Sequence, residues 1–248
     1  MKQPCSPTCS PIRPPAADDD TGPRVRVTAR RRLLTDAGLR PEIRPSSVDE
    51  TTVLDTARAD GIYEPADLAE LLARAKARAV AETLAPPSTR ALVLGCDSML
   101  ELDGELFGKP GTPEVAIERW RRMRGRSAVL HTGHWLVDLT PTPPTPSTPP
   151  EAGAADAPPL AADSSQEAGA AESTVVRFAD VPDDEIAAYV ATGEPLAVAG
   201  GFTLDGLGAA FVTRIDGNPG NVIGVSIPLL HRLVTDRGVP WFDLVHTR

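Results

Sequence analysis

The sequence predicts an α/β fold: a single domain whose mixed sheet is flanked by helices. Three observations lead there. Apolar runs without helical periodicity, at residues 91–94 and 174–178, have the length of strands, and residues 128–138 alternate as a strand does. Amphipathic stretches of helical period, at 67–84 and 112–125, are interspersed with them, and strands alternating with helices give an α/β domain. Low-complexity segments occupy enough of the 248 residues that one compact domain of about 180–200 residues is expected, not two.

Residues 1–24 form a Pro-, Ser- and Asp-bearing stretch without periodicity and read as a disordered tail; the domain is expected over 25–248. A first helix is expected from Arg30, with Leu33, Leu34 and Ala37 on one face and Gly38 as its C-terminal stop. An extended segment then runs from Pro41-Glu42-Ile43 to the acids Asp49 and Glu50. On the long helix the expected apolar stripe is Leu68, Leu71, Leu72, Ala75 and Ala79. The run at 91–94 stops at Gly95-Cys96-Asp97-Ser98, which places a carboxylate and a hydroxyl where a strand is expected to end. Asp103-Gly104 is a favoured two-residue hairpin turn and leads to Gly108-Lys109-Pro110. Thr112-Pro113-Glu114 starts the next helix, and a strand follows from Ala128.

Residues 140–172 are a different material, Pro- and Ala-rich, with acids but no Lys, Arg or aromatic residue. Proline blocks a sheet ladder, and little apolar surface is present to offset ordering entropy, so a flexible loop insertion is expected there. The fold resumes with a strand at 174–178, a helix after Pro182-Asp183-Asp184-Glu185, a glycine-rich passage at 200–211 and a terminal helix over 227–234.

The formal net charge of -9 argues against a surface that coats nucleic acid. No apolar run approaches the ~20 residues of a membrane helix, and the N-terminus lacks a secretory apolar core, so a cytoplasmic protein without a membrane partner is expected. Three cysteines, Cys5, Cys9 and Cys96, form neither a disulfide framework nor a metal-ligand pattern. His131 and His134 lack a third ligand at suitable spacing and read as structural. An acid near Lys109, itself held in a Gly-Pro turn, suits a metal and a phosphate. Taken alone, Asp97 fits a turn cap as well as a metal site, and the Asp49-Glu50 pair fits a helix N-terminal cap.

Gly95-Cys96-Asp97-Ser98, Asp103-Gly104-Glu105 with Gly108-Lys109-Pro110, and His131-Thr132-Gly133 follow one another in the chain. After them come Ala187-Ala188-Tyr189-Val190-Ala191-Thr192-Gly193-Glu194-Pro195-Leu196, Gly206-Leu207-Gly208 and Asn221-Val222-Ile223-Gly224. In this order and spacing, from Arg30 to about Val234, the chain resembles the Maf family of nucleotide pyrophosphatases. The resemblance implies a Maf/ITPase-like fold and cleavage between the α and β phosphates of a nucleoside triphosphate, with Mg2+ or Mn2+ as the divalent cation. It implies Asp97 as general base close to the metal, Glu50 as the second metal carboxylate, and Lys76 and Lys109 as phosphate contacts. Ser98 stands where many relatives have Thr. Asp205 stands where a pyrimidine-preferring branch has Gln, so that branch's preference is not carried over. A nucleoside triphosphate partner and a homodimer are implied; a fold-retaining septation regulator without turnover is the alternative.

The family's phosphate loop, Ser-x-Ser-Pro-Arg-Arg, would fall at 25–30, where this chain has Val25-Arg26-Val27-Thr28-Ala29-Arg30. Only Arg30 survives as a phosphate-binding residue. With GC-rich codons for Arg24 to Arg30, ending in C except at Ala29, which ends in G, reading one nucleotide later yields Ala-Ser-Ala-Ser-Pro-Arg, so residues 1 to about 29 are expected to be out of frame. The DNA sequence decides this directly.

Overall fold

The computed structural model describes residues 24–84, 91–139 and 166–246. Residues 1–23 of the expected 1–24 tail and most of the Pro- and Ala-rich insertion, 140–165, lie outside the described residues. Helix α1 (Arg24–Asp36) stops at Gly38, which adopts φ +86° as a left-handed terminator. An irregular segment leads to α2 (Glu50–Ala59) and α3 (Pro65–Ala81). Strand β1 (Leu92–Leu102) forms a hairpin with β2 (Glu105–Phe107) across Asp103-Gly104, both at positive φ. Helix α4 (Pro113–Met123), with Thr112 as N-cap, leads to β3 (Ser127–Asp138) and β4 (Glu167–Phe178). Then follow α5 (Asp183–Ala191), a run of short 3-10 turns, β5 (Val212–Asp216), α6 (Pro219–Ile223), α7 (Ile227–Thr235) and α8 (Trp241–Leu244).

The strands form one five-stranded sheet in the order β2-β1-β3-β4-β5. The α/β single domain is as expected, but each described pair is antiparallel, so the sheet is not mixed. The reason lies in the connection. The crossover through α4 joins β2 to β3, strands that point the same way, but β1 lies between them, so no parallel pair forms. Helix α1 begins at Arg24, not at the expected Arg30, and two boundaries in the sheet also differ from expectation. Residues 167–172 of the insertion pair with β3 as part of β4. Residues 95–98 do not end a strand: β1 continues through them.

Gly95 explains the second difference in the sheet. A Cβ there would lie 2.2 Å from the Ala73 carbonyl oxygen, and one at Gly133 would lie 2.2 Å from that of Ala69. These glycines let α3 settle onto the sheet backbone to backbone, through the fully buried Ala69, Ala73 and Ala77. The buried stripe of α3 is therefore Leu68, Ala69, Leu72, Ala73 and Ala77, while Ala75 and Ala79 are only partly covered. Directly opposite residues share a face, which places Asp97 and Gly133 on the α3 side and Ser98 with Thr132 on the other.

The other face carries two cores. One surrounds Trp120, whose ring meets Phe178, Tyr189 and Phe211 edge-on at centroid distances of 5.5, 5.5 and 5.6 Å. The second buries Leu229, Leu230, Leu233 and Val234 of α7 against Leu136. Within it, His134 is fully buried; its Nε2 accepts from the Ser226 N–H at 2.8 Å and its Nδ1 lies 3.0 Å from the Thr132 carbonyl. Only the neutral imidazole protonated at Nδ1 satisfies both bonds. Burial depresses this histidine to about 4 from the usual 6.5. Between those two values the unfolded chain takes up a proton that the native imidazole refuses, so stability falls on acidification. At pH 5 the loss from this group is expected to reach about 2 kcal/mol, read by urea unfolding at pH 7 and pH 5. A His134→Gln variant should lack that component; an unchanged pH slope would refute the assignment.

Candidate active site

Asp49 and Glu50 divide the roles that the sequence left open. The Asp49 carboxylate accepts from the N–H groups of Thr51 and Thr52 at 3.1 and 3.2 Å and caps α2. Glu50, the first residue of α2, reaches Lys76 of α3, its Oε1 lying 2.7 Å from the ammonium. The same ammonium lies 2.5 Å from Oδ1 of Asp97, which projects from mid-β1 toward α3. Three segments separated in sequence thus meet at one nitrogen. The Asp97 side chain is only 8% exposed, the Lys76 side chain 18%, and the Glu50 side chain 44%. A buried carboxylate of this kind is tolerated because a charge partner compensates its lost hydration.

This group borders a cleft of about 490 Å³ that follows the edge of β1 from Ala91 to Cys96. The edge is open because β2 pairs only with Leu100, Glu101 and Leu102. Arg30, Arg40, Glu42, Arg44, Glu50 and Lys76 supply the charged lining. Arg30 donates from Nε to the Gly224 carbonyl at 3.0 Å and from Nη1 to the Cys96 carbonyl at 2.9 Å, tying α1 to α6 and β1. Its Nη2 makes no hydrogen bond among the described residues. Cys96 is buried, and burial pushes its thiol up to about 11, so it stays protonated.

Lys109 is not part of the Glu50–Lys76–Asp97 contact. It is exposed, on a loop held by the Gly200 N–H to the Gly108 carbonyl at 3.2 Å and the Gly111 N–H to the Leu196 carbonyl at 3.1 Å. It has no ion-pair partner among the described residues.

Ser98 and Asp205 lie together in a second, smaller pocket, with Ala29, Phe202, Thr203 and Ile223 on its wall. It lies on the sheet face opposite Asp97, with Ala29 next to Arg30 of the cleft. Thr132 Oγ1 donates to the Asn221 carbonyl at 2.9 Å, so the Ser98 hydroxyl must donate to Thr132, at 2.9 Å. Ser98 therefore offers a ligand only lone pairs. The loop bearing Asp205 is fixed by the Glu194 carboxylate, which accepts from Thr203 Oγ1, from Tyr189 at 3.0 Å, and from the N–H groups of Leu207 and Gly208 at 3.1 Å. Asp205 itself is exposed.

Two carboxylates converging on one cationic point are a donor set that suits a hard divalent ion sharing its other positions with phosphate and water. Among the described residues, no group of three or more His, Cys, Asp or Glu side chains could hold a metal. Sequence reasoning missed Arg40 and Arg44, which look there like ordinary solvated charges on an irregular segment.

The description "Maf-like protein" matches residues 27–237. A nucleoside triphosphate pyrophosphatase of Salinispora tropica is 49% identical over 213 residues, covering 86% of this chain and 81% of the relative. One of Thermosynechococcus vestitus is 46% identical over 216 residues, covering 87% and 92%. One of Streptomyces coelicolor is 49% identical over 210 residues, covering 85% and 86%. Identity at this level, over nearly the whole of the described domain and across the segments that bring Glu50, Lys76 and Asp97 together, means that the chain belongs to the Maf-like protein family.

Proposed function

We propose that this chain hydrolyses nucleoside triphosphates to the nucleoside monophosphate and pyrophosphate, clearing non-canonical nucleotides in the cytoplasm. The observation that carries the reading is the meeting of Glu50, Asp97 and Lys76 within 2.7 Å at the rim of a cleft lined by further cations. The names of its relatives support the same activity. Glu50 and Asp97 would hold a Mg2+ or Mn2+ ion, which when bound neutralises phosphate charge. Asp97 orients the attacking water and takes its proton. Lys76 and Lys109 meet phosphate oxygens as point charges. Arg30 adds the Nη2 that its backbone contacts leave over.

The pocket of Ser98 and Asp205, about 30 Å³, has room only for a group the size of a water or two, so it would read one edge of the base and not enclose the ring. Both side chains accept hydrogen bonds and neither donates one inward, so a base edge rich in N–H groups is favoured over one flanked by carbonyls.

A nucleotide panel assayed for pyrophosphate release with Mg2+ or Mn2+ tests the reading. Turnover abolished by chelator is the expected result, and no turnover of any nucleotide would sink it. In Glu50→Gln the metal concentration for half-maximal rate is expected to rise about tenfold with little change in melting temperature. The alternative, a non-catalytic regulator of septation, is favoured by Val25-Arg26-Val27-Thr28-Ala29 standing in place of a phosphate loop. Turnover that appears only after grafting Ser-Ala-Ser-Pro-Arg at 25–29 would mark a damaged enzyme.

A further inference from the structure

The cleft runs against the charge of the chain that forms it. The protein carries -9 overall, yet four cations, Arg30, Arg40, Arg44 and Lys76, face only Glu42 and Glu50 along this wall. Two of the four are already engaged. Lys76 lies between Glu50 and Asp97, and Arg30 is bound to the Gly224 and Cys96 carbonyls. The other two are held weakly or not at all. Arg40 is exposed and has no ion-pair partner among the described residues. Arg44 meets Glu42 at 2.6 Å, with side chains 48% and 74% exposed. An ion pair so open to solvent is worth little and re-forms elsewhere at small cost.

The backbone between α1 and α2 suits such a role. Pro41 and Pro45 restrict its rotations and, like Arg40 and Arg44, line the cleft. Arg40 and Arg44 thus line, from a stiffened segment, the same cleft as Lys76. A guanidinium offers two parallel N–H donors to a phosphate, which an ammonium cannot match.

Resting on the reading of this cleft as the triphosphate site, we propose that Arg40 and Arg44 grip the polyphosphate. Glu42 is the competing acid: it holds Arg44 while the cleft is empty and releases it to the anion.

The test is titration calorimetry of the full chain with inorganic tripolyphosphate at low ionic strength, without nucleotide or metal. Arg40→Gln and Arg44→Gln are each expected to weaken binding about five- to tenfold, and the double variant about thirtyfold or more. Glu42→Gln is expected to tighten it about threefold, the opposite sign, by removing the competitor. Melting temperatures should stay unchanged, because all three side chains are exposed. A wild-type chain that fails to bind tripolyphosphate, or a double variant that binds it as the wild type does, overturns the proposal. Glu42→Gln leaves both arginines in place, so it remains readable should the arginine variants fold poorly, and unaltered or weaker binding by it also counts against the proposal. Binding that depends on Arg40 and Arg44 in a chain that turns over no nucleotide would leave this inference standing while the catalytic reading fell. Turnover with KM unmoved in the double variant would do the reverse.

Discussion

Replacing Asp97 by Asn is expected to abolish pyrophosphate release while leaving the fold in place. The amide matches the carboxylate in volume and keeps an oxygen for Lys76, whose charge stays compensated by Glu50 at 2.7 Å. No uncompensated charge is left buried, so the cost in stability should stay near 1 kcal/mol. The catalytic loss should be much larger. The amide cannot take a proton from water and is a poor ligand for a divalent ion, and these two losses together correspond to about 10³-fold or more. The measurement is pyrophosphate release by purified wild type and variant, beside circular dichroism melts. Residual turnover within about tenfold of wild type would remove Asp97 from the role of base.

The largest effect on stability is expected at Gly133. An alanine Cβ there would lie 2.2 Å from the Ala69 carbonyl oxygen, 2.3 Å from its carbon and 2.5 Å from the Cα of Glu70. All three are backbone atoms of α3, so no side chain can swing aside. The helix must lift from the sheet and open voids around Leu68, Leu72 and Met99, which form one buried cluster. Overpacking usually costs about 1–3 kcal/mol, and an obstacle made of helix backbone should exceed that range. Gly133→Ala is therefore expected to be largely unfolded at 37 °C, or to melt well below wild type. Any folded remainder should lose activity disproportionately, since α3 carries Lys76. A variant that melts within about 3 °C of wild type would show that α3 sits higher above the sheet than described.

Much of the architecture was legible in the sequence because local chemistry decided it. Asp103-Gly104 turns as that dipeptide favours, Thr112-Pro113 opens α4, and Gly38 closes α1. What was not legible depended on partners far away in the chain. Gly95 reads as a strand terminator, yet it is an approach point for α3. Helix α2 has two adjacent threonines and a single buried residue, Ala57; its existence rests on the Asp49 cap and on packing against α3. The antiparallel sheet follows from which strands end up adjacent, which periodicity does not specify. For the site, Glu50, Asp97 and Lys76 were expected to act together and their side chains do meet, but the division of labour between Asp49 and Glu50 was not legible. Nothing local says that Asp49 turns inward to its own helix while Glu50 turns outward to Lys76. Nor does it show that neighbouring Asp97 and Ser98 serve opposite faces, though a strand continued through them would have implied it. Arg40 and Arg44 were illegible because an exposed arginine on an irregular segment matters only once its surroundings are known.

The β3–β4 ladder extends from Ser127 opposite Arg177 to Val137 opposite Glu167, with Asp138 still donating to the Gln166 carbonyl at 2.7 Å. Whatever connects residue 139 to residue 166 therefore departs and returns through a gate about 5 Å wide that the sheet itself holds shut. Doubling the length of such a connection costs only about 0.6 kcal/mol in closure entropy, so selection on its size is weak. Leu139 also donates to the Ala91 carbonyl, which sets this junction beside the first residues of the cleft's open edge. Over evolutionary time, lineages can lengthen or trim the connection here at little risk to folding, and so acquire new sequence beside the cleft.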